Sequence, residues 1–523
     1  MNDDHADVII VGGGHNGLVA AALLARAGRR VLVLEANDTF GGAVASQRVF
    51  RGVDASLSRF SYLVSVLPQE LIDDLGLDLE LRSRSVASYT PVSGGGILAE
   101  RPEAEATARS FATVTGGEEE YAAWRRFHRT VAEFARVVSP TLLGPLPRAA
   151  DLRAAVGDDL WTALTQRPLG ELIEAEFADD TVRGIILTDA LIGIFTNAND
   201  PTLRQNRCFV YHVIGNGTGE WKVPVGGMGA LAAALEQAAG AAGAELRSGA
   251  RVERIETGDS GATVVLADGS RLSAAYLLAN CAPSVLAELT GARSEPPEGS
   301  QTKINLVVRR LPKLRSGLDP AVGFAGTLHL GQGYQRLAEA YAEADAGRIP
   351  DPLPCEIYCH TLTDPSILGP ELLEQGCHTL TVFGLHTPAR LFVDDPDGAR
   401  KQVLQAALHS LSEVLAEPLE DCLLTDADGR PCIEVMTPLD VEAAVNMPGG
   451  HIFHGDLNWP WLPDDAVVST PAVRWGVATA HPRILLCGSG SVRGGAVSGL
   501  GGHSAAMALL ELTGPATPPP TYS

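Results

Sequence analysis

The chain opens with DVIIV, Asp7–Val11, an unbroken apolar run. The glycine turn GGGHNG follows, then LVAAALLARAG with helical composition, then RRVLVLE. Apolar strand, glycine turn, helix and second strand predict a buried parallel β-α-β unit. The other end repeats the pattern: ILLC precedes a glycine run, and GGHSAAMALL after it predicts a closing helix starting near Gly502-His503. Between them, GGMGALAAALEQAAGAAG predicts a helix from about Gly229 to Ala242. ARVERIET, ATVVLADGSRLS and AAYLLANCAP then predict strand, hairpin and strand, with Asp268-Gly269 as the turn. SGGGIL at Ser93 reads as another hairpin turn. EEEYAAWRRFHRTVAEFARVV and ARKQVLQAALHSLSEVLA read as helices, KINLVVRRL and HTLTVFGLHT as strands. In CEIYC, Cys355, Ile357 and Cys359 share one strand face and read as buried core.

The opening turn carries the first chemistry. Gly12, Gly14 and Gly17 form a GxGxxG between a strand and a helix. The glycines permit a tight turn, close approach of backbone to a pyrophosphate, and close helix–strand packing. The helix N-terminus, at His15 and Asn16, supplies free N–H groups and a positive dipole end. Glu35, 18 residues past Gly17 and followed by Ala36, ends the second strand and suits a ribose hydroxyl. A second glycine pair, Gly41-Gly42 before Ala43, extends the pattern in the way flavoproteins hold FAD.

Composition narrows the partners. The 523 residues are 45% hydrophobic, enough for more than one structural unit. A net charge of −23 excludes a nucleic-acid surface as the expected partner. Lysine is confined to Lys222, Lys303, Lys313 and Lys401. Eight cysteines, none before Cys208, do not read as a secreted disulfide framework. The acidic N-terminus has no apolar signal core, and no apolar run is long enough for a spanning helix, so a reducing cytoplasm is expected. Peripheral membrane contact and oligomeric state stay open. The tail TGPATPPPTYS is expected to be disordered.

The chain resembles the FAD-dependent phytoene desaturase-like oxidoreductase family, and most of all the branch typified by pyridine nucleotide-disulphide oxidoreductase domain-containing protein 2. Beside the two ends, SRFSYLVSVL (58–67), TDALIGIF (188–195), VPVGGMGALAAALEQAAGAAGAEL (223–246), QTKINLVVRRLP (301–312), GCHTLTVFG (376–384) and MPGGHIFHGDL (447–457) are similar to it, in order. The resemblance implies an α/β fold: a Rossmann-like, glutathione reductase-type FAD-binding domain with an inserted α+β substrate domain. The FAD domain would comprise 1–95, 222–300 and 476–523, and the substrate domain 96–221 and 301–475. It implies that the Val252 backbone contacts the adenine side of FAD. Gly488, Ser489, Gly494, Gly495 and Val497 would lie against the flavin, under the N-terminus of the closing helix.

Two features of a pyridine nucleotide-disulphide reductase are missing: a cysteine pair near the first FAD motif and a second GxGxxG unit. GNGTGEW at Gly215 lacks the strand–turn–helix context. His451 and His454 have no patterned third ligand, so no metal is expected. Candidate catalytic residues are Lys303, which in some flavin oxidases has a counterpart holding a water near N5, His454 and His503, with Trp459 and Tyr62 as pocket residues. Arg493 stands where the family usually has a His-Pro pair, here Val492-Arg493, and would bring a cation near the flavin or a polar substrate group. The expected function is dehydrogenation, or desaturation, of an organic and largely apolar small molecule by hydride transfer to flavin N5, with an unidentified electron acceptor. Alternatives are a redox-neutral isomerase, an amine oxidase-like enzyme and a non-catalytic FAD-binding interaction protein.

Overall fold

The computed structural model describes residues 5–259 and 261–514. The tail read as disordered lies outside them, apart from its first residues Thr513 and Gly514.

Two seven-stranded sheets organise the chain. In the first, the opening strand His5–Val11 lies parallel to Val31–Leu34 on one side and to Arg271–Ala279 on the other. Glu245–Arg247 extends one edge, and Ile484–Leu486 joins in parallel at the end of Arg271–Ala279. Val252–Gly258 and Gly261–Leu266 add an antiparallel flap. Val8, Ile9, Ile10 and Val11 are all buried, because helices cover one face and the flap side covers the other. That explains the unbroken apolar run. The helices His15–Arg26, Met228–Ala241 and Leu500–Thr513 pack together on the covered face.

The second sheet runs Ile433–Met436, Thr302–Val308, His378–Gly384, Cys355–Tyr358, Thr327–Leu330, Val86–Val92 and Gly95–Glu100. The Ser93 hairpin turn is present, but its strands belong to this sheet. Residues 86–94 therefore sit with the second sheet, ahead of the boundary at 95 expected from the sequence. Alternation sorts its side chains. Ile304, Leu306, Leu328, Cys355, Ile357 and Val382 pack with the helix Pro396–Val414. The opposite face carries Lys303, Phe383, Glu356, Tyr358, Thr327 and His329, which line a cavity. A layer of helices between 105 and 213 forms the opposite wall of that cavity.

One local expectation shifts. The closing helix starts at Leu500, not at Gly502-His503, because Gly499 takes the left-handed turn that admits the chain to it. Of the TDALIGIF block, Thr188 ends a helix and the following residues form turns.

Candidate active site

The opening glycine turn is built to receive an anion. Gly14 caps the first helix with no side-chain hydrogen bond, and its first-turn N–H groups have no side chain to answer them. A Cβ at Gly17 would lie 2.4 Å from the Gly12 carbonyl oxygen and 2.8 Å from Asn280 Nδ2. Asn280 Nδ2 donates to that carbonyl at 2.9 Å and so fixes the turn. Gly41 N donates to Gly13 O at 2.9 Å, which seats the second glycine pair on the first. Glu35 accepts from Gly13 N at 2.8 Å and Asn37 N at 2.9 Å, keeping further lone pairs for a ribose. Ala250 N donates to Glu35 O, which brings the Val252 segment to the same end, as the adenine contact requires. Ala36 is exposed beside it.

The closing helix runs parallel to the first. Asn16 and Gly502, both near helix N-termini, touch, and a Cβ at Gly502 would lie 1.9 Å from the Asn16 carbonyl oxygen. Gly502 N donates to Asn16 Oδ1 at 3.5 Å, and at the far ends Arg29 donates to Thr513 Oγ1 at 2.8 Å. Two positive dipole ends side by side repel each other unless an anion sits before them. This arrangement and the glycine cradle fit the pyrophosphate of FAD.

Next to this cradle lies a cavity of about 350 Å³, reaching from His15, Ala43, Ser489 and Val497 to the second sheet. His15 is held neutral, with a pKa of about 4, by burial and by His454 nearby. Burial, then His451, does the same to His454. His15 Nε2 and His454 Nδ1 have no protein partner, and His454 adopts a positive φ of 62°. His15 lines the cavity; His454, expected as a catalytic residue, lies behind it and is not on the wall.

Lys303 lines the same end. Its Nζ donates to Ser58 O at 2.5 Å and Ser61 O at 3.1 Å and lies 5.2 Å from the Phe383 ring centre. Burial lowers its pKa to about 7, with Glu434 opposing. One ammonium donor is left over after the two carbonyls are served.

Other expectations need correction. Arg493 is 1% exposed and absent from the cavity wall. Its guanidinium donates to the carbonyls of Leu142, Gly144, Pro145 and Pro460. Every arm is held by backbone, so it pins loops together rather than facing flavin or substrate. His503 packs its ring 5.9 Å from Trp475 and is not on the cavity wall either. Trp459 stacks on Trp461 at 5.0 Å, away from the cavity. In the closing run, a Cβ on Gly488 would meet Asn280, on Gly494 the Gly488 carbonyl, and on Gly495 Leu457. The missing side chains there make room for protein. Ser489 and Val497 do reach the cavity, and so does Tyr62.

Sequence reasoning missed the far end. Across the second sheet the register sets Lys303 beside Phe383, Phe383 beside Glu356, and Glu356 beside His329. Glu356 is thus two strand spacings, about 10 Å, from Lys303. Glu356 accepts from Thr188 Oγ1 at 3.1 Å and Tyr358 OH at 2.6 Å. Asp189 lies near it and lines the cavity, and among the described residues its carboxylate accepts no hydrogen bond. Burial raises both acids to about 7; Asp189 pushes Glu356 up further, while Arg84 opposes the rise at Asp189. Arg84 completes the group. The only sequence signal was the strand alternation in CEIYC, where the cysteines drew attention and the chemistry lies on the other face.

A parallel sheet with paired glycine cradles at its C-terminal edge, opening onto a walled cavity, defines a class: FAD-dependent oxidoreductases. The chain belongs to the flavin-containing amine oxidoreductase family, whose model matches residues 17–421. It is 46% identical to an uncharacterised protein of Mycobacterium tuberculosis, over 97% of this chain and 98% of that one. It is 27% identical to mouse pyridine nucleotide-disulfide oxidoreductase domain-containing protein 2, over 97% and 93%. Hydroxyneurosporene desaturase of Cereibacter sphaeroides is 31% identical over 56% of this chain and 59% of its own. Putrescine oxidase has the same fold, with a TM-score of 0.58 at 17% identity over 97% and 99% of the two chains. The cofactor is FAD. No helix among the described residues is long and apolar enough to cross a membrane.

Proposed function

We propose that the protein dehydrogenates an organic substrate with a largely apolar body, introducing a double bond. The observation that carries this reading is the cavity wall between the cofactor end and the far end. Ile185, Ile186, Ile192, Val131, Phe60 and Phe453 supply it, and they fit hydrocarbon. The partial match to a desaturase agrees.

Bound FAD supplies the hydride acceptor. Desaturation removes a hydride from one carbon and a proton from its neighbour, so the chain must accept a proton. Lys303 suits that task. Burial brings its pKa near neutrality, where an amine is part free base. The carbonyls of Ser58 and Ser61 fix its Nζ and leave one direction open for a water or the substrate. His15, on the cavity wall and neutral throughout the physiological range, offers a hydrogen bond without charge. The apolar wall excludes water.

Amine oxidation is the second reading, favoured by the open carboxylate of Asp189 and by the structural likeness to putrescine oxidase. The aromatic pair Tyr62–Tyr358 weighs against an amine held between rings. Their centroids are 4.8 Å apart, whereas a group sandwiched between them needs about 7 Å, twice a carbon contact. Anaerobic mixing of the flavin-loaded enzyme with apolar alkenes, fatty acids and amines tests both. Bleaching by an apolar compound that gains a double bond supports the proposal. Bleaching confined to amines, with an imine product, replaces it.

A further inference from the structure

The far end of the cavity holds a permanent charge that the protein barely answers. Arg84, in the loop between Leu81–Arg82 and Val86–Val92, is 8% exposed and lines the cavity. One hydrogen bond reaches it, from Nη1 to Thr327 Oγ1 at 3.2 Å, and its guanidinium lies 5.5 Å from the Tyr358 ring centre. Among the described residues it forms no ion pair. Its remaining N–H groups are left for the cavity.

The groups around it differ in what they can do about charge. Asp189 and Glu356, both within electrostatic reach of Arg84, hold protons below about pH 7 and ionise above it. His128 and His329 stay neutral, lowered to about 4 and about 3 by burial, then by Arg101 and Arg84 respectively. His212 is lowered by burial as well, and the phenols of Tyr62 and Tyr358 are raised by it, so all three are uncharged. Arg101, at the wall, is already paired with Glu220 at 3.2 Å. Arginine alone keeps its charge at every working pH. Below about pH 7 this buried cation has no ionised carboxylate beside it, which is costly, and an entering anion relieves it.

We propose that Arg84 anchors an oxyanion head group, a carboxylate by preference, on the substrate whose apolar body lies along the wall toward Lys303. A planar guanidinium matches the two oxygens of a carboxylate, and the neighbouring acids accommodate the anion by remaining protonated. A phosphate monoester shares this chemistry. The proposal rests on the dehydrogenase reading for the role of the body, not for the recognition of the head.

The test is equilibrium binding to the flavin-loaded enzyme, read by flavin absorbance and calorimetry, with decanoate, decyl phosphate, decanol and decylamine as probes. Decanoate should bind at least about tenfold more tightly than decanol or decylamine. Arg84→Gln should remove at least about tenfold of that affinity while decanol binding and flavin content hold. Tighter binding of decyl phosphate makes phosphate the head group and keeps the anchor. In the unsubstituted protein, decanoate affinity should fall as pH rises through about 7, where Asp189 and Glu356 ionise and repel the anion. Asp189→Asn should flatten that fall, which decides the matter even if Arg84→Gln does not fold. Preference for decylamine, or decanoate binding indifferent to both substitutions, overturns the proposal. Carboxylate binding without bleaching by any substrate sinks the dehydrogenase reading alone; bleaching without carboxylate preference sinks the anchor alone.

Discussion

Two arginines are buried among the described residues, and their surroundings could hardly differ more. Arg493 sends its donors to four backbone carbonyls drawn from two segments, 142–145 and Pro460. Arg84 sends one donor to one hydroxyl and turns the rest to a cavity. Burial is the same; satisfaction is not. A buried charge whose every donor is met is a fastener, because it stabilises only the groups it touches. A buried charge left open marks a place where something else is expected to bind. The sequence pointed to Arg493, since it breaks a family pattern inside a cofactor motif. In the structure it is Arg84, not Arg493, that lines the cavity with donors to spare.

The comparison can be broken most severely at Arg493. Arg493→Ala strands four carbonyls in a dry loop junction and should cost about 3–5 kcal/mol of stability, as loss of one partner from a buried charged network does. Denaturant unfolding of the flavin-loaded protein measures it; a loss under about 1 kcal/mol would show the clamp to be idle. Next in size is Gly502→Ala, where the added methyl meets the Asn16 carbonyl at 1.9 Å. Overpacking of this kind costs about 1–3 kcal/mol, and FAD retention on dilution should fall with it. Normal retention and stability would mean that the two helices part freely.

A third effect, read by pH, is expected at the far end. The folded-state pKa values of Asp189 and Glu356 are raised to about 7, above their ordinary values. The folded state then holds more protons than the unfolded one between about pH 4 and 7. Stability should fall as pH rises through that window, and Asp189→Asn should reduce the fall. Thermal midpoints across the range decide it, and identical profiles for both proteins would contradict the raised pair. The smallest effect is expected for Arg84→Met. Removing an unanswered charge relieves as much as it disturbs, so ligand-free stability should stay within about 0.5 kcal/mol. A loss approaching that of Arg493→Ala would erase the distinction between the two.

Legibility followed the range of the interactions. The opening turn was readable because strand, glycines, helix and Glu35 lie within one short stretch, and each constrains its neighbour. The helix Met228–Ala241 and the hairpin at Asp268-Gly269 were readable for the same reason. Lys303 drew attention by its rarity, and it does line the cavity. His454, His503 and Trp459 do not line the cavity, because lying near a motif in sequence says nothing about which way a ring points. Arg84, Asp189 and Glu356 were passed over, since they come from three distant segments and none sits in a recognisable pattern.

By itself, then, the sequence determined the βαβ cofactor unit and, through its family resemblance, FAD as the cofactor. Periodicity, turn chemistry and local spacing are enough for the unit. Only the tertiary structure decided which ionisable side chains face the cavity and which are tied to backbone. That depends on the register of the second sheet and on loops meeting across hundreds of residues, where one strand position turns a side chain from core to cavity.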